Sequence, residues 1–286
     1  EHIDLWADGT RALPVNDPHD RELTISCGCA LFNLRVAAAA AGLDALVETW
    51  PDAVDPDLLA KVHIKPAQTK SALAALQPAI AQRRTYRERF AATAVDAATL
   101  RELVAAAKDE GATASVLEGD EARFAAAALV AEGDALQWAN PSWRRELAAW
   151  MHPRRRGDGL SLPALAVPVA KIVVRTFDMG QGVGAKDKQL ADESPVLAVL
   201  STDGDMPSDW LATGQALQRL LLEGVQRGLQ ASYLNQPVQA AALRPKLQRL
   251  TGRPGYAQVL LRIGVPTQVK AGAPRRPLAE VLVAVS

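Results

Sequence analysis

The sequence lacks any charge imbalance. Its 32 Lys and Arg are matched by 32 Asp and Glu, for a formal net charge of zero over 286 residues. That argues against a general polyanion binder, whose affinity rests on many cationic contacts to phosphates. Cysteine is nearly absent. Cys27 and Cys29, with one residue between them, suit neither a structural disulfide nor a four-ligand zinc site. Free thiols fit a reducing cytoplasm, the expected location. The four histidines (His2, His19, His63, His152) are scattered without metal-ligand spacing. No run of about 18 apolar residues is present, so no membrane span is expected, and no signal peptide is visible. The chain starts with Glu1 rather than Met, so the natural N-terminus is expected to lie outside it. There is no G-x-G-x-x-G after a strand, no Walker loop, no nucleophile elbow and no recognisable Ser-His-Asp set. What remains is an ordinary globular composition, 49% hydrophobic and 22% charged, in a chain long enough to bury a full core without staples.

Periodicity supplies the elements. Residues 21–43 place apolar side chains three and four apart and close on Gly42, which predicts a helix with a glycine cap. "DALVETW" and "LLAKVHI" read as strands. Residues 69–82 read as an Ala-rich helix running into an arginine cluster. Residues 96–111 read as a helix capped by Asp96 and closed by Gly111. "TASVLEG" reads as a strand, and 119–151 as long helical stretches. Residues 152–195, interrupted by prolines and glycines, read as a long irregular excursion. "PVLAVLST", "QASYLN" and "YAQVLLRIGVP" read as strands, with helices over 207–229 and 239–251. The expected fold is α+β: mainly antiparallel sheets flanked by helices.

One segment occurs twice. "GCALFNLRVAAAAAGL" (28–43) and "GQALQRLLLEGVQRGL" (214–229) align without gaps at an offset of 186, matching at Gly28/Gly214, Ala30/Ala216, Leu31/Leu217, Leu34/Leu220, Gly42/Gly228 and Leu43/Leu229. Ala and Leu are common and share helical periodicity, but both copies are also followed by a strand. Two related halves in one chain are expected, imitating a two-fold dimer whose isologous interface is internal. The boundary is placed near residue 68.

The balanced charge makes "QRRTYRERF" (82–90) conspicuous, with Arg83, Arg84, Arg87 and Arg89 in seven positions. Read as helix, Arg83 and Arg87 share a face, and Thr85 is a natural cap or phosphate donor. Arginine suits phosphate because its planar fork donates two parallel hydrogen bonds. A solvated helix end, with cations near the C-terminal dipole, accounts for the same residues. "PRRPLAEV" holds Arg275 and Arg276 between prolines that stiffen the backbone; a polar tail is the plainer reading. "HPRRRGDG" (152–159) reads as a solvated loop. "ASYLNQPVQ" ends a strand with Asn235 and Gln236, whose amides could recognise a heterocycle or simply make a turn. Trp143 and Trp150, seven apart, read as one core-packing face alongside Trp138.

Taken together, "RRTYRERF", "SPVLAVLST", the 214–229 helix, "GYAQVLLRIGVP" and "RRPLAEV" resemble the nitroreductase superfamily. The N-terminal "RALPVNDPHDRELTISCGCALFNLRVAAAAAGL" narrows the resemblance to the Acg-type branch. Each motif is loose; their order and spacing over nearly the whole chain are what is specific. In ordinary nitroreductases two subunits clasp FMN at their interface. An early R-R-S-x-R stretch and a late Lys or Arg bind its phosphate and ribityl chain. The resemblance therefore implies an FMN site made of Arg83, Arg84, Thr85 and Arg87, with Arg275 as the late arginine and Arg276 beside it. Tyr233, Leu234, Asn235 and Gln236 would run along the isoalloxazine. The branch looks like a fused pseudo-dimer, so residues 1–68 would be a degenerate half. Residues 69–286 would be the FMN-anchoring half, with 152–195 a lid-like insertion. The branch's P-S-x-H-N-x-Q-P-W opening, which touches the flavin from the opposite half, is not among these residues.

The implied activity is hydride transfer from NAD(P)H through FMN to a nitroaromatic or quinone-like acceptor, in a monomer or homodimer. Nucleic acid and membrane are not expected partners. No catalytic acid or base and no metal ligand can be named. The alternative is a protein that stores or sequesters FMN under the 152–195 lid, with little or no reductase activity.

Overall fold

A computed structural model describes residues 1–152, 160–161, 166–269 and 275–284. The chain opens on β1 (His2–Trp6) and helix α1 (Arg21–Ala40), followed by β2 (Leu43–Thr49) and β3 (Leu58–Pro66). A 3-10 turn at 72–76 leads into the short α2 (Gln77–Gln82). Then come α3 (Ala97–Lys108), β4 (Thr113–Val116), α4 (Gly119–Ala139), α5 (Pro141–Ala149) and the two-residue strands β5 (Met151–His152) and β6 (Leu160–Ser161). Helices α6 (Val167–Thr176) and α7 (Gly180–Asp192), strand β7 (Val196–Thr202), helix α8 (Pro207–Gln226) and β8 (Gln230–Tyr233) follow. Helices α9 (Gln236–Gln239) and α10 (Arg244–Leu250) and strand β9 (Tyr256–Gly264) complete the order.

Two antiparallel sheets organise these elements, β1-β3-β2 and β4-β7-β9-β8. The fold is α+β, as the patterning predicts. Strands β7 and β9 are apolar on both faces because both faces are covered. On β7, Val196, Ala198 and Leu200 pack with Leu103 of α3 and Leu217, Leu220 and Leu221 of α8. The alternate Leu197 and Val199 pack with Ala127 and Val130 of α4 and Leu247 of α10. The pairing register of β7 with β9 shifts at Gln258, and such a bulge re-aims a side chain. Here it sends Gln258 into a buried polar network.

The repeated segment becomes the pair α1 and α8, whose bounds coincide at the offset of 186. Both end at a left-handed glycine, Gly42 (φ 74°) and Gly228 (φ 75°), each leading into a strand. They cross at Gly28 and Gly214. A Cβ on Gly28 would meet the Leu211 carbonyl oxygen and lie 2.9 Å from the Gly214 Cα. One on Gly214 would meet the Ile25 carbonyl oxygen and lie 2.7 Å from the Gly28 Cα. Ile25 and Leu211 are themselves 186 apart, so the contact is reciprocal, as in an isologous interface. Among the described residues α1 alone has the length and hydropathy of a membrane-crossing helix. Its apolar surface is engaged by α8, by the turn at 72–76 and by the first sheet.

Three expectations are corrected. The stretch 152–195, read as irregular, carries α6 and α7 in its described part. Pro168 stands in the first turn of α6, where the missing N–H costs nothing. Gly180 and Gly184, one helical turn apart, let α7 approach α4: a Cβ on Gly184 would sit 3.4 Å from the Ala131 Cα. The helix read over 239–251 is confined to α10, because 240–243 form a turn after the short α9. Finally, the arginine stretch is not helical. Helix α2 ends at Gln82, and Arg83 is extended (φ −61°, ψ 131°), so Arg83 and Arg87 do not share a helical face. A predicted feature that does appear as expected is the cap of α3, where the Asp96 side chain accepts from the Thr99 N–H at 2.9 Å. Residues 153–159 of "HPRRRGDG" lie outside the described residues.

Candidate functional site

Strand β8 pairs with β9 on one side only. Its other edge is covered by the arginine stretch, which answers the hazard of an open strand edge. Thr85 bridges Ala231 in parallel fashion, the Tyr86 N–H donates to the Ala231 carbonyl at 2.8 Å, and the Arg84 N–H donates to Gln230 Oε1 at 2.9 Å. Residues 83–86 and 230–233, some 146 apart in sequence, are therefore neighbours. This long-range pairing is what overrides helix continuation.

The four arginines then divide. Arg84 turns back to cap α2, its Nη1 donating to the Ala81 and Arg83 carbonyls at 2.5 and 2.8 Å. Arg89 pairs with Glu193 at 2.9 Å on the surface. Arg83 and Arg87 have no side-chain hydrogen bond or ion pair among the described residues. Both lie near Tyr233. Burial, joined by Cys29, pushes the Tyr233 phenol up to about 12, while Arg83 and Arg87 draw it down. Cys29 of α1 belongs to the same group: burial pushes its thiol up to about 12 against the pull of Arg83, and its Sγ donates to the Gly214 carbonyl at 3.2 Å. Two guanidiniums without side-chain partners among the described residues thus act on the neutral Tyr233 phenol, and one of them, Arg83, on the neutral Cys29 thiol. Such a place attracts an anion.

The late arginines separate. Arg275 reaches the C-terminal end of α2, donating to the Ile80 carbonyl at 3.3 Å, three residues before Arg83. Arg276 faces acids instead, Glu280 at 3.4 Å and Asp8 at 3.9 Å. Leu234 is buried in the core on the α4 side of the sheet. The Asn235 amide is occupied at both ends: Oδ1 accepts the Leu260 N–H at 3.1 Å and Nδ2 donates to Glu22 at 3.0 Å. Gln236 is held through its Nε2, while its buried Oε1 has no hydrogen-bond partner among the described residues.

Residues missed in the sequence do this holding. Glu22, in the first turn of α1, accepts from Asn235, from Gln239 at 2.8 Å and from Arg21 at 3.2 Å. Arg21 also donates to the Gln258 carbonyl at 2.6 Å, and Gln258 meets Arg244 and Asp205. Burial raises Asp205, but hydrogen bonds from Arg244, Trp210 and Gln258 prevail and hold it at about 2. Sequence offers no signal for this network beyond an acidic residue at a helix start, which the dipole alone explains.

Gln236 makes a second polar cluster. Its Nε2 donates to Asp187 of α7 at 2.8 Å and to Asp134 of α4 at 3.3 Å. One amide serves two carboxylates. Burial, then the Asp187 charge, push Asp134 up to about 7. Burial also raises Asp187, opposed by Gln236, Lys186 and Arg262. The folded protein therefore keeps a proton on Asp134 that the unfolded chain releases from its ordinary value of 3.8 upward. Stability falls as pH rises from there to about 7, and levels out above it. Asp134→Asn is expected to flatten that fall. Its melting temperature should exceed the wild-type value at pH 8 and approach it below the ordinary value of 3.8, as thermal melts on either side of the window will test.

Comparison with known proteins adds the family. No family model matches. The uncharacterized protein Rv3127 of Mycobacterium tuberculosis is 30% identical over 289 residues, 98% of this chain and 83% of its own. The "Putative NAD(P)H nitroreductase acg" of the same organism is 30% identical over 286 residues, covering 98% and 86%. Among solved structures, the FMN and NADPH-dependent nitroreductase NfnB of Sphigopyxis sp. strain HMH aligns over 74% of this chain and 99% of its own, with a TM-score of 0.48 and 20% identity. The NADPH:FMN oxidoreductase of Vibrio harveyi, complexed with NAD+, aligns over 74% and 77%, with a TM-score of 0.45 and 14% identity.

Proposed function

The chain belongs to the Acg-type branch of the nitroreductase superfamily, and we propose that it is an FMN-dependent oxidoreductase. Bound FMN would accept hydride from NAD(P)H and pass the reducing equivalents to a nitroaromatic or quinone-like acceptor. The observation that carries this reading is the pair Arg83 and Arg87. Two guanidiniums without side-chain partners among the described residues flank Thr85 on an extended stretch, beside a strand whose end is the turn of Tyr233 to Gln236. Arg83 and Arg87 would hold the phosphate, with Thr85 donating a hydroxyl and Arg275 closing from the end of α2. Arg84 would keep α2 in register, and Arg276 would steady the tail through Glu280 and Asp8. The Tyr233–Gln236 backbone, held from behind by Glu22, would orient the ring, and the Tyr233 phenol would stay protonated beside it.

In this reading residues 1–68 form the degenerate half and 69–286 the anchoring half, with 152–195 inserted in the latter. Cys29 and Glu22 are then contributions of the first half to the second half's cofactor.

Anaerobic mixing with NADPH or NADH tests the activity. Bleaching of the flavin absorbance, followed by turnover on a nitroaromatic, is expected. A flavin colour that persists under excess reductant would contradict it and favour FMN storage.

A further inference from the structure

A fifth arginine lies beneath the arginine stretch. Arg262, on β9, is 1% exposed in a strand that is otherwise almost wholly apolar. It makes no ion pair among the described residues, and its Nε has no hydrogen-bond partner. Asp187 and Glu88 favour its charge electrostatically, but burying a guanidinium without a paired carboxylate is costly, and an apolar side chain would fill the same place in the sheet. The two terminal nitrogens have specific targets. Nη1 donates to the Glu88 carbonyl and Nη2 to the Tyr86 carbonyl, each at 2.9 Å. The Phe90 ring lies against the guanidinium carbon, 4.8 Å from its centroid.

These contacts make a frame around Arg87. The carbonyls of Tyr86 and Glu88 flank it, and one planar fork holds both. Tyr86 is fixed further by its N–H on Ala231 and by its phenol, 2.8 Å from Thr267 Oγ1. Arg87 itself is exposed, on the solvent side of the stretch. Two bonds in one fixed plane restrict the backbone at residues 86 to 88 more than any single bond could. Lysine could not replace them, since an ammonium is a point charge without a fork.

We propose that Arg262 is a positioning residue for the anion site, holding residues 86 to 88 so that Arg83 and Arg87 face one phosphate. It rests on the FMN reading and adds a residue that touches neither phosphate nor ring.

The test compares FMN with riboflavin, which lacks the phosphate, by fluorescence titration of the apo-protein. Wild type, Arg262→Lys and Arg262→Met are each titrated, with a melting curve on each. Wild type is expected to prefer FMN. Both variants should bind FMN about 10- to 100-fold more weakly, the range typical of outer-shell groups that orient direct ligands, with riboflavin affinity unchanged. The FMN preference therefore collapses. Equal loss for FMN and riboflavin, or no loss for either, would overturn the positioning role while leaving FMN binding intact. A wild type that binds neither flavin would overturn the functional reading, and this inference with it. Should Arg262→Met fail to fold, Arg262→Lys, which keeps the charge, still decides the matter.

Discussion

Replacing Arg83 and Arg87 together by alanine is expected to release the flavin. Hydrogen bonds to charged groups contribute about 1.5–3 kcal/mol each. Losing one from each arginine weakens FMN binding by roughly 10²- to 10⁴-fold. The apo-protein should hardly notice, because neither guanidinium has a side-chain partner among the described residues to lose. The expected signature is an unchanged melting temperature without FMN and the loss of the FMN-induced rise, since a ligand stabilises only what it binds. Arg84→Ala should show the opposite pattern. It removes bonds to the Ala81 and Arg83 carbonyls and so loosens the end of α2. A double mutant that keeps its flavin would refute the assignment of the phosphate.

The second large effect belongs to the crossing of α1 and α8. Gly28→Val is expected to cost upward of about 3 kcal/mol. Its Cβ would press on the Leu211 carbonyl and on Gly214, both backbone groups that cannot rotate away. For a chain of this size that corresponds to a fall in melting temperature of roughly 6–12 °C. Gly214→Val should do the same, for the reciprocal reason. Gly182→Ala is the control. It sits within α7, and a Cβ there meets nothing within 4 Å, so the exchange should be neutral or slightly stabilising. Thermal melts of the three variants decide the matter. If Gly28→Val melts with wild type, the helices do not meet at this point.

Local signals explain what was legible in the sequence. The helices α1 and α8 announce themselves by period and by closing glycines, β7 and β9 by apolar runs that only double-sided burial permits. Asp96 announces α3 by its position. The repeat was visible because the residues that match, Gly28 and Gly214 above all, are those the crossing constrains most tightly. The errors arise where distant contacts decide. Arg83 to Tyr86 leave the helix because the edge of β8 offers their backbone hydrogen bonds. Pro168, Gly180 and Gly184 looked like helix breakers, yet they occupy a helix first turn or a close helix–helix contact. Whether Asn235 and Gln236 read a ligand or make a turn stayed open in the sequence, because nothing local reveals Glu22, Asp134 or Asp187. Arg262 gave no signal at all: one arginine in an apolar strand has no meaning until the carbonyls of Tyr86 and Glu88 are placed over it.

The central claim is one FMN per chain, anchored at Arg83 and Arg87. Its most direct test is the binding stoichiometry of the purified apo-protein titrated with FMN, read by absorbance of bound flavin after removal of the free form. The account predicts one FMN per chain in wild type and none retained in the Arg83→Ala, Arg87→Ala double mutant. No binding in wild type, two equivalents per chain, or an undiminished equivalent in the double mutant would contradict it.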